Sequence, residues 1–520
     1  MPKRTWLLAG ILFLHFCAPQ PKTPATMPPA LAGSKLAEAQ AQYKKASLPF
    51  LKKAFEALEA LYAHPSLKRR VGPDYVRTAI LIDAREKELG IIDNLYLDKA
   101  LAVLKVDPTL AEFAPYSDLA RAMLVKQKGQ MGDVNIRLDW NETEAMLERN
   151  FDLLKNRAMT DEFAAYIFST AYGYYESYFS NKNKRVDVAH YQSLYPESLL
   201  IRYRVATLPE ENKDLLARLI ERDADFFEAY YHLGNISLKE RKLLEAERNY
   251  LKAKAGIPES PQITIALASI YFAMEEIEKS LEFYEKTLTI SPDYREAILG
   301  KAICLSNLGK NAEAISTLET LIARGNWLIG ESHYWLAWNQ YQLGRDEEAA
   351  ANVEQAKSRL PTDTEVFSLS GLIAVQKGEW ERAEKDFKES LNHSPYNTDA
   401  LLGLGKIYDQ RTQWPEAGAS YESAASAFGL QESLIQDRTR EIKESSMDPD
   451  RKARLIARKD GQLRKIEQFK ALAFYNAAVG HFNSGSKDKA AELAVRAAAH
   501  PTLKEKAEDL ISRIKMARAG

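Results

Sequence analysis

From residue 228 onward the chain returns to one arrangement of small and large side chains about every thirty-four positions. One column holds Gly234, Ala268, Ala302, Ala337, Gly371 and Gly405. Twelve residues further on in each copy, a second small column holds Ala246, Ser280, Ala314, Ala349, Ala383 and Ala417. A third, bulky column holds Tyr250, Tyr284, Leu318, Val353, Phe387 and Tyr421. Such a period marks a supersecondary unit that cannot bury its own apolar face and does so by stacking on its neighbours. Within each copy the apolar spacing is helical, with two helices to a copy. The small columns permit close approach of the paired helices, where a larger side chain would cost about 1–3 kcal/mol in overpacking. Pro258, Pro292, Pro361 and Pro395 close four copies, because proline opposes helical continuation. Asn326 and Gly429 stand in that slot where proline is missing.

The stretch EAYYHLGNISLKERKLLEAERNYLKAKAGIPES, residues 228–260, resembles the tetratricopeptide repeat, with Leu233-Gly234, Ala246, Tyr250 and Pro258 in the places of its motif. Tyr230 and Ser237 depart from the usual Trp and Tyr. The resemblance implies an all-α, helical-hairpin solenoid wound as a right-handed superhelix, with six copies over 225–429. A seventh copy spans 471–501, with Ala478 and Ala490 in the small columns, and an amphipathic helix over 502–520 caps the array. Residues 35–224 read as helical pairs in which the repeat has degenerated. The charged insertion 430–470 reads as helix, a break at Asp448-Pro449, and helix again, with Asp448 as N-cap. It reads either as a solvated extension or as an arm that contacts a partner.

The N-terminus carries a different signal. Lys3 and Arg4 precede an apolar run from Trp6 to Phe16. As a helix that run would reach roughly 16 Å, half a bilayer core, which suits a secretory leader better than a span. Cys17 ends it, and the arrangement resembles a bacterial lipoprotein signal with a relaxed lipobox, since His15 and Phe16 stand where small residues are usual. That resemblance implies lipidation at Cys17, a signal peptide over 1–17 and a location in the cell envelope, facing the periplasm or the surface. Without lipidation the chain would be periplasmic or secreted. The proline-rich segment 18–34 reads as a tether.

Composition argues against several functions. With 71 basic and 72 acidic residues, nothing favours nucleic acid as a partner. Two cysteines, Cys17 and Cys304, exclude a disulfide framework, and Cys304 reads as a core residue. No HExxH, CxxC, GxSxG or P-loop pattern occurs. The expectation is a protein without catalytic residues, metal or cofactor.

What the sequence offers instead is aromatic surface. In ESHYWLAWNQYQLG, residues 331–344, Tyr334, Trp338 and Tyr341 share one helical stripe with Trp335 beside it, while Leu336 and Ala337 hold the packing slots. By the resemblance, this stripe lines the concave face of the superhelix. Tyr231, Asn235 and Leu238 hold matching places in the first copy, and Lys406 and Asp409 in the sixth. Asn235 has the position of an asparagine that holds a peptide backbone in peptide-binding repeats. Two readings stay open: aromatics packed only on neighbouring helices, or anchors for a peptide or protein partner. The expected role is a scaffold or adaptor. The alternatives are a component of a solute-transport or envelope-assembly complex, and a subunit that activates or houses an enzyme.

Overall fold

A computed structural model describes residues 27–130, 136–175, 184, 186–208, 210–325 and 328–519. Cys17 and Asn326 lie outside the described residues. Among those described, every regular element is a helix. The expected all-α helical-hairpin solenoid is the observed fold.

The repeat pairs follow the columns. Helices A and B are Phe227–Lys239 and Leu243–Gly256 in repeat 1, and Pro261–Ala273 and Ile277–Ile290 in repeat 2. They are Arg295–Asn307 and Asn311–Ala323 in repeat 3, and Ile329–Gln342 and Asp346–Arg359 in repeat 4. Repeat 5 has Thr364–Lys377 and Trp380–His393, and repeat 6 has Thr398–Gln410 and the long Trp414–Glu444. Ser260, Asp363 and Asn397 cap helices A of repeats 2, 5 and 6 by accepting from backbone N–H groups of the first turn. Helix B stops two residues before Pro258, Pro292, Pro361 and Pro395. Gly429, in the same slot, does not stop it, and helix B of repeat 6 continues to Glu444.

The columns meet in space. A Cβ added to Gly234 would sit 2.7 Å from the Tyr250 ring, one on Gly371 2.4 Å from Phe387, and one on Gly405 2.7 Å from Tyr421. Phe387 lies one turn beyond the buried Ala383 on its helix, and Tyr250 and Tyr421 stand likewise beyond Ala246 and Ala417. Repeats 3 and 4 solve the same volume differently: Ala302 and Ala337 accompany the smaller Leu318 and Val353, all fully buried. In repeat 2, Ala268 accompanies Tyr284, and that ring finds its space against Gly300 of the next helix A. Each hairpin turn needs one residue at positive φ. Glycine supplies it at Gly309, Gly344, Gly378 and Gly485, whereas Arg241, Glu275 and Thr412 hold φ of 57–60° in repeats 1, 2 and 6. Nothing in the structure explains Thr412.

The N-terminal half is not a separate body. One core runs from Ala32 to Cys304, joining residues of the described helices before Phe227 to repeats 1–3. The segment expected to be a tether over 18–34 is helical from Pro29, since Pro29–Lys44 forms the first helix. Its first turn accepts proline without losing a hydrogen bond, and Ala32, Leu36 and Ala39 bury one face.

The charged insertion, read as a solvated extension or a partner arm, is largely exposed yet packs its tip on the chain's own repeats. Trp414–Glu444 and Pro449–Asn483 form a hairpin, with Asp448 capping the second arm. The end of that arm serves as helix A of repeat 7, followed by Lys487–Ala498 and the closing Lys504–Ala519. Phe428 stacks on Phe469 across the arms, and Lys470 pairs with Glu432. Its tip returns to repeats 1 and 2. Arg451 donates from Nη1 to Glu247 at 2.8 Å and from Nε to Glu276 at 2.7 Å. Lys459 pairs with Glu275, whose second oxygen accepts from Gln462 at 2.9 Å. The hairpin is therefore a clasp that ties the end of the array to its beginning.

Candidate partner-binding surface

The inner wall is built from helices A. Their spacing brings Tyr334, Trp338 and Tyr341 onto one packed group with Val353 and Ile373, while Trp335 turns to the preceding group with Leu318 and Leu321. All four aromatics are half-buried. Tyr334 stands edge-on to Trp335 at 5.3 Å, and the Trp338 and Tyr341 rings are 6.4 Å apart. They are thus anchored from below and leave part of each ring to solvent. Burial pushes the Tyr334 phenol up, and the nearby Glu365, Asp363 and Asp399 push it further. Tyr341 is raised in the same way by burial, Asp399 and Asp346. Carboxylates from repeats 5 and 6 therefore face the aromatic patch of repeat 4.

Those carboxylates belong to a column the sequence reading missed. Six residues before the small slot of each helix A stand Glu228, Gln262, Glu296, Glu331, Glu365 and Asp399. The same column test that found the repeats could have found it. Its first member shows what it can hold. Glu228, fully buried, takes the Arg85 guanidinium at 2.5 Å, the Ser47 hydroxyl at 2.8 Å and the Leu48 N–H at 2.6 Å. Gln262 accepts from the Tyr231 hydroxyl at 2.9 Å. Among the described residues, Glu296, Glu331, Glu365 and Asp399 have no ion pair. Burial and the neighbouring Asp399 and Asp363 raise Glu365 against a hydrogen bond from Asn397 Nδ2 at 3.2 Å, and burial alone raises Asp399, so neither has a compensating cation. A first-turn acid also favours its own helix dipole. That accounts for the residue type but not for the lack of ion pairs, since carboxylates of the B helices, such as Glu354, Glu384 and Asp386, are paired with cations.

The other expected groove residues behave differently. Asn235 is not free to hold a peptide: its Nδ2 donates to Glu211 at 2.7 Å and its Oδ1 accepts from Tyr250 at 2.6 Å. Burial would raise Glu211, but hydrogen bonds from His232, Asn235 and Lys239 hold it down at about 2. His232 in turn meets the Tyr203 hydroxyl at 2.8 Å. Tyr231 and Leu238 pack on the core shared with the N-terminal half. The start of the wall is thus occupied by the chain itself. At the far end Lys406 is exposed, and Asp409 accepts from the Tyr421 hydroxyl at 3.0 Å. The structure brings Tyr334, Trp338 and Tyr341 together with Glu365 and Asp399, and leaves Tyr231, Asn235 and Leu238 in a separate, filled site. No group of His, Cys, Asp and Glu suited to a metal occurs among the described residues.

Two models of the tetratricopeptide repeat match this chain, one over residues 271–326 and the other over 299–364 and 369–430. These copies are tetratricopeptide repeats. Among known proteins, the chain is 27% identical over 194 residues to anaphase-promoting complex subunit 7 of Dictyostelium discoideum, covering 36% of this chain and 33% of that one. It is 27% identical over 259 residues to DnaJ protein P58IPK homolog A of Oryza sativa subsp. japonica, covering 43% and 53%. The chain therefore spans between 33% and 53% of the length of these relatives. A solved structure of YrrB, titled a TPR protein with an unusual peptide-binding site, is 17% identical and covers 36% of this chain and 95% of its own, with a TM-score of 0.31.

Proposed function

We propose that the protein is a non-enzymatic scaffold whose inner wall, over repeats 3–6, holds an extended segment of a protein partner rich in Lys or Arg and apolar residues. The observation that carries this reading is the carboxylate column. Its first member is satisfied internally by the Arg85 guanidinium, and its last four have no ion pair among the described residues. Beside them, the part-exposed Tyr334, Trp338 and Tyr341 offer apolar area and ring faces for the cation's stem and charge. Large aromatic anchors among excluded water are the usual source of binding energy at such surfaces. Affinity capture from the native source compares wild type, Trp338→Ala and Glu389→Ala, the last on a B helix. The partner recovered by wild type and Glu389→Ala is lost with Trp338→Ala and released by salt. A partner set unchanged by Trp338→Ala overturns the assignment.

We also propose that this scaffold is tethered to a bacterial envelope membrane through lipid on Cys17. The leader pattern supports this, and among the described residues no helix is long and apolar enough to cross a membrane. Mass spectrometry of the mature N-terminus decides it: an unacylated chain, or one starting elsewhere than Cys17, rejects the tether.

A further inference from the structure

A cavity of about 340 Å³ lies where the clasp meets repeats 1 and 2. That is within the ~300–1,000 Å³ range of small-molecule sites, which favour seams between packed bodies. One wall is Leu243, Leu244 and Met274 from the repeats, and the other is Ile442, Met447 and Leu455 from the clasp. The rim carries five cations beside the carboxylates of Glu245, Glu275 and Glu441, and its cations are unevenly satisfied. Arg438 is paired with Glu441, Lys242 with Glu240 and Lys459 with Glu275. Arg241 and Arg248, both exposed, also line the cavity, and neither guanidinium has an ion pair or hydrogen bond among the described residues.

Arg241 carries a second, independent peculiarity. It occupies the hairpin-turn slot that glycine fills in repeats 3, 4, 5 and 7, at φ 59°. Such a conformation disfavours a side chain, so one that persists there is a candidate for use, although Thr412 holds it with no evident role. The corresponding Glu275 of repeat 2, at φ 60°, is used: it receives Lys459 and Gln462 of the clasp. At Arg241 the backbone is equally strained, yet its guanidinium has nothing to hold.

We propose that this cavity binds an amphipathic anion, a single aliphatic chain with a carboxylate or phosphate head, its tail between the two apolar walls and its head on Arg241 and Arg248. Because the tail touches repeats and clasp at once, the ligand fastens the clasp, and by linkage a closed clasp favours the ligand. The site lies on the turn edge of the array and is independent of the inner wall.

Calorimetric titration of the full chain with sodium decanoate below its micellar range tests the proposal, with decyltrimethylammonium and inorganic phosphate as companion probes. Wild type binds decanoate, and neither the cationic amphiphile nor phosphate alone matches it. Amides of residues 442–459 then exchange more slowly. Arg241→Gly separates binding from folding. Glycine relieves the positive φ, so the melting midpoint stays or rises, while decanoate affinity falls about tenfold to a hundredfold with loss of a charge-assisted bond. Absence of decanoate binding by wild type, equal binding of the cationic amphiphile, or an affinity untouched by Arg241→Gly each overturns it.

Discussion

Arg451→Ala should open the clasp without unfolding the array. Among the described residues the guanidinium is the sole cation on two carboxylates at the seam, Glu247 and Glu276, and it also points Nη2 at the Met274 sulfur at 3.1 Å. Side-chain exposure is 13% for Arg451, 8% for Glu247 and 14% for Glu276, so the triad is largely out of water. Truncating one member of such a group leaves charge buried and unpaired, which costs about 3–5 kcal/mol. The molecule has an inexpensive escape, because lifting the hairpin tip rehydrates both carboxylates and exposes only the small apolar seam. The closed state should therefore lose about 3 kcal/mol relative to the open one, roughly a hundredfold in the opening equilibrium. Hydrogen exchange reads this directly. Amides from Ile442 to Lys459 should lose about two decades of protection, while those around Val353 and Phe387 keep theirs. Arg451→Lys, which retains charge but not the fork, should fall between. Unchanged protection at the hairpin would show that the seam is held elsewhere. Equal loss across every repeat would show that the hairpin is integral to the core and not a clasp.

Two further outcomes follow from the packing. Gly371→Ala should destabilise by about 1–2 kcal/mol, since its Cβ would meet Phe387 at 2.4 Å and the gain in helix propensity offsets only part of the strain; with Phe387→Leu added, the pair should cost less than the sum, because repeat 3 already combines Ala302 with Leu318, and additive denaturation midpoints would refute the pairing. Burial pushes the Glu86 carboxyl up to about 7 although the Lys52 ammonium lies 2.8 Å away. A carboxyl raised on folding contributes its stability below its unfolded value near 4.5 and loses it as pH rises through 7. Unfolding free energies from urea titrations at pH 5 and pH 8 should differ by on the order of 1–3 kcal/mol less in Glu86→Gln than in wild type, and an identical pH dependence would refute the assignment.

The array was legible because its determinants are local and periodic. Gly371 and Phe387 sit sixteen positions apart in the chain, and the same pairing recurs in successive copies. Pro361 and Pro395 end helices by a rule that needs no tertiary context. Long-range polar contacts leave no such trace. Glu228 and Arg85 are separated by 143 positions, Arg451 and Glu247 by 204. Each reads in sequence as one more charge on a polar face. Asn235 sits where a peptide-holding asparagine would, yet Glu211, brought in from the segment before repeat 1, takes its donor. The aromatic stripe was visible, but the carboxylates opposite it were hidden in plain spacing, because acids in a first turn look like ordinary helix starts.

A solenoid has two ends at which an apolar face lacks a neighbour, and this chain treats them differently from its middle. At the start, the N-terminal helices extend the core through Ala32 to Cys304, and Arg85 and Glu211 spend the polar groups of repeat 1 on internal bonds. At the finish, the missing proline at Gly429 lets helix B run on into a hairpin long enough to reach repeats 1 and 2. Both devices consume inner-wall or turn residues of repeats 1 and 2. Repeats 3–6 are left with first-turn carboxylates that have no ion pair among the described residues, and repeat 4 with half-buried aromatics. If inner-wall chemistry were set by stability alone, these positions would be as fully bonded as Glu228. Their lack of ion pairs among the described residues is what the proposed binding of a partner at the middle of the array, and not at its beginning, rests on.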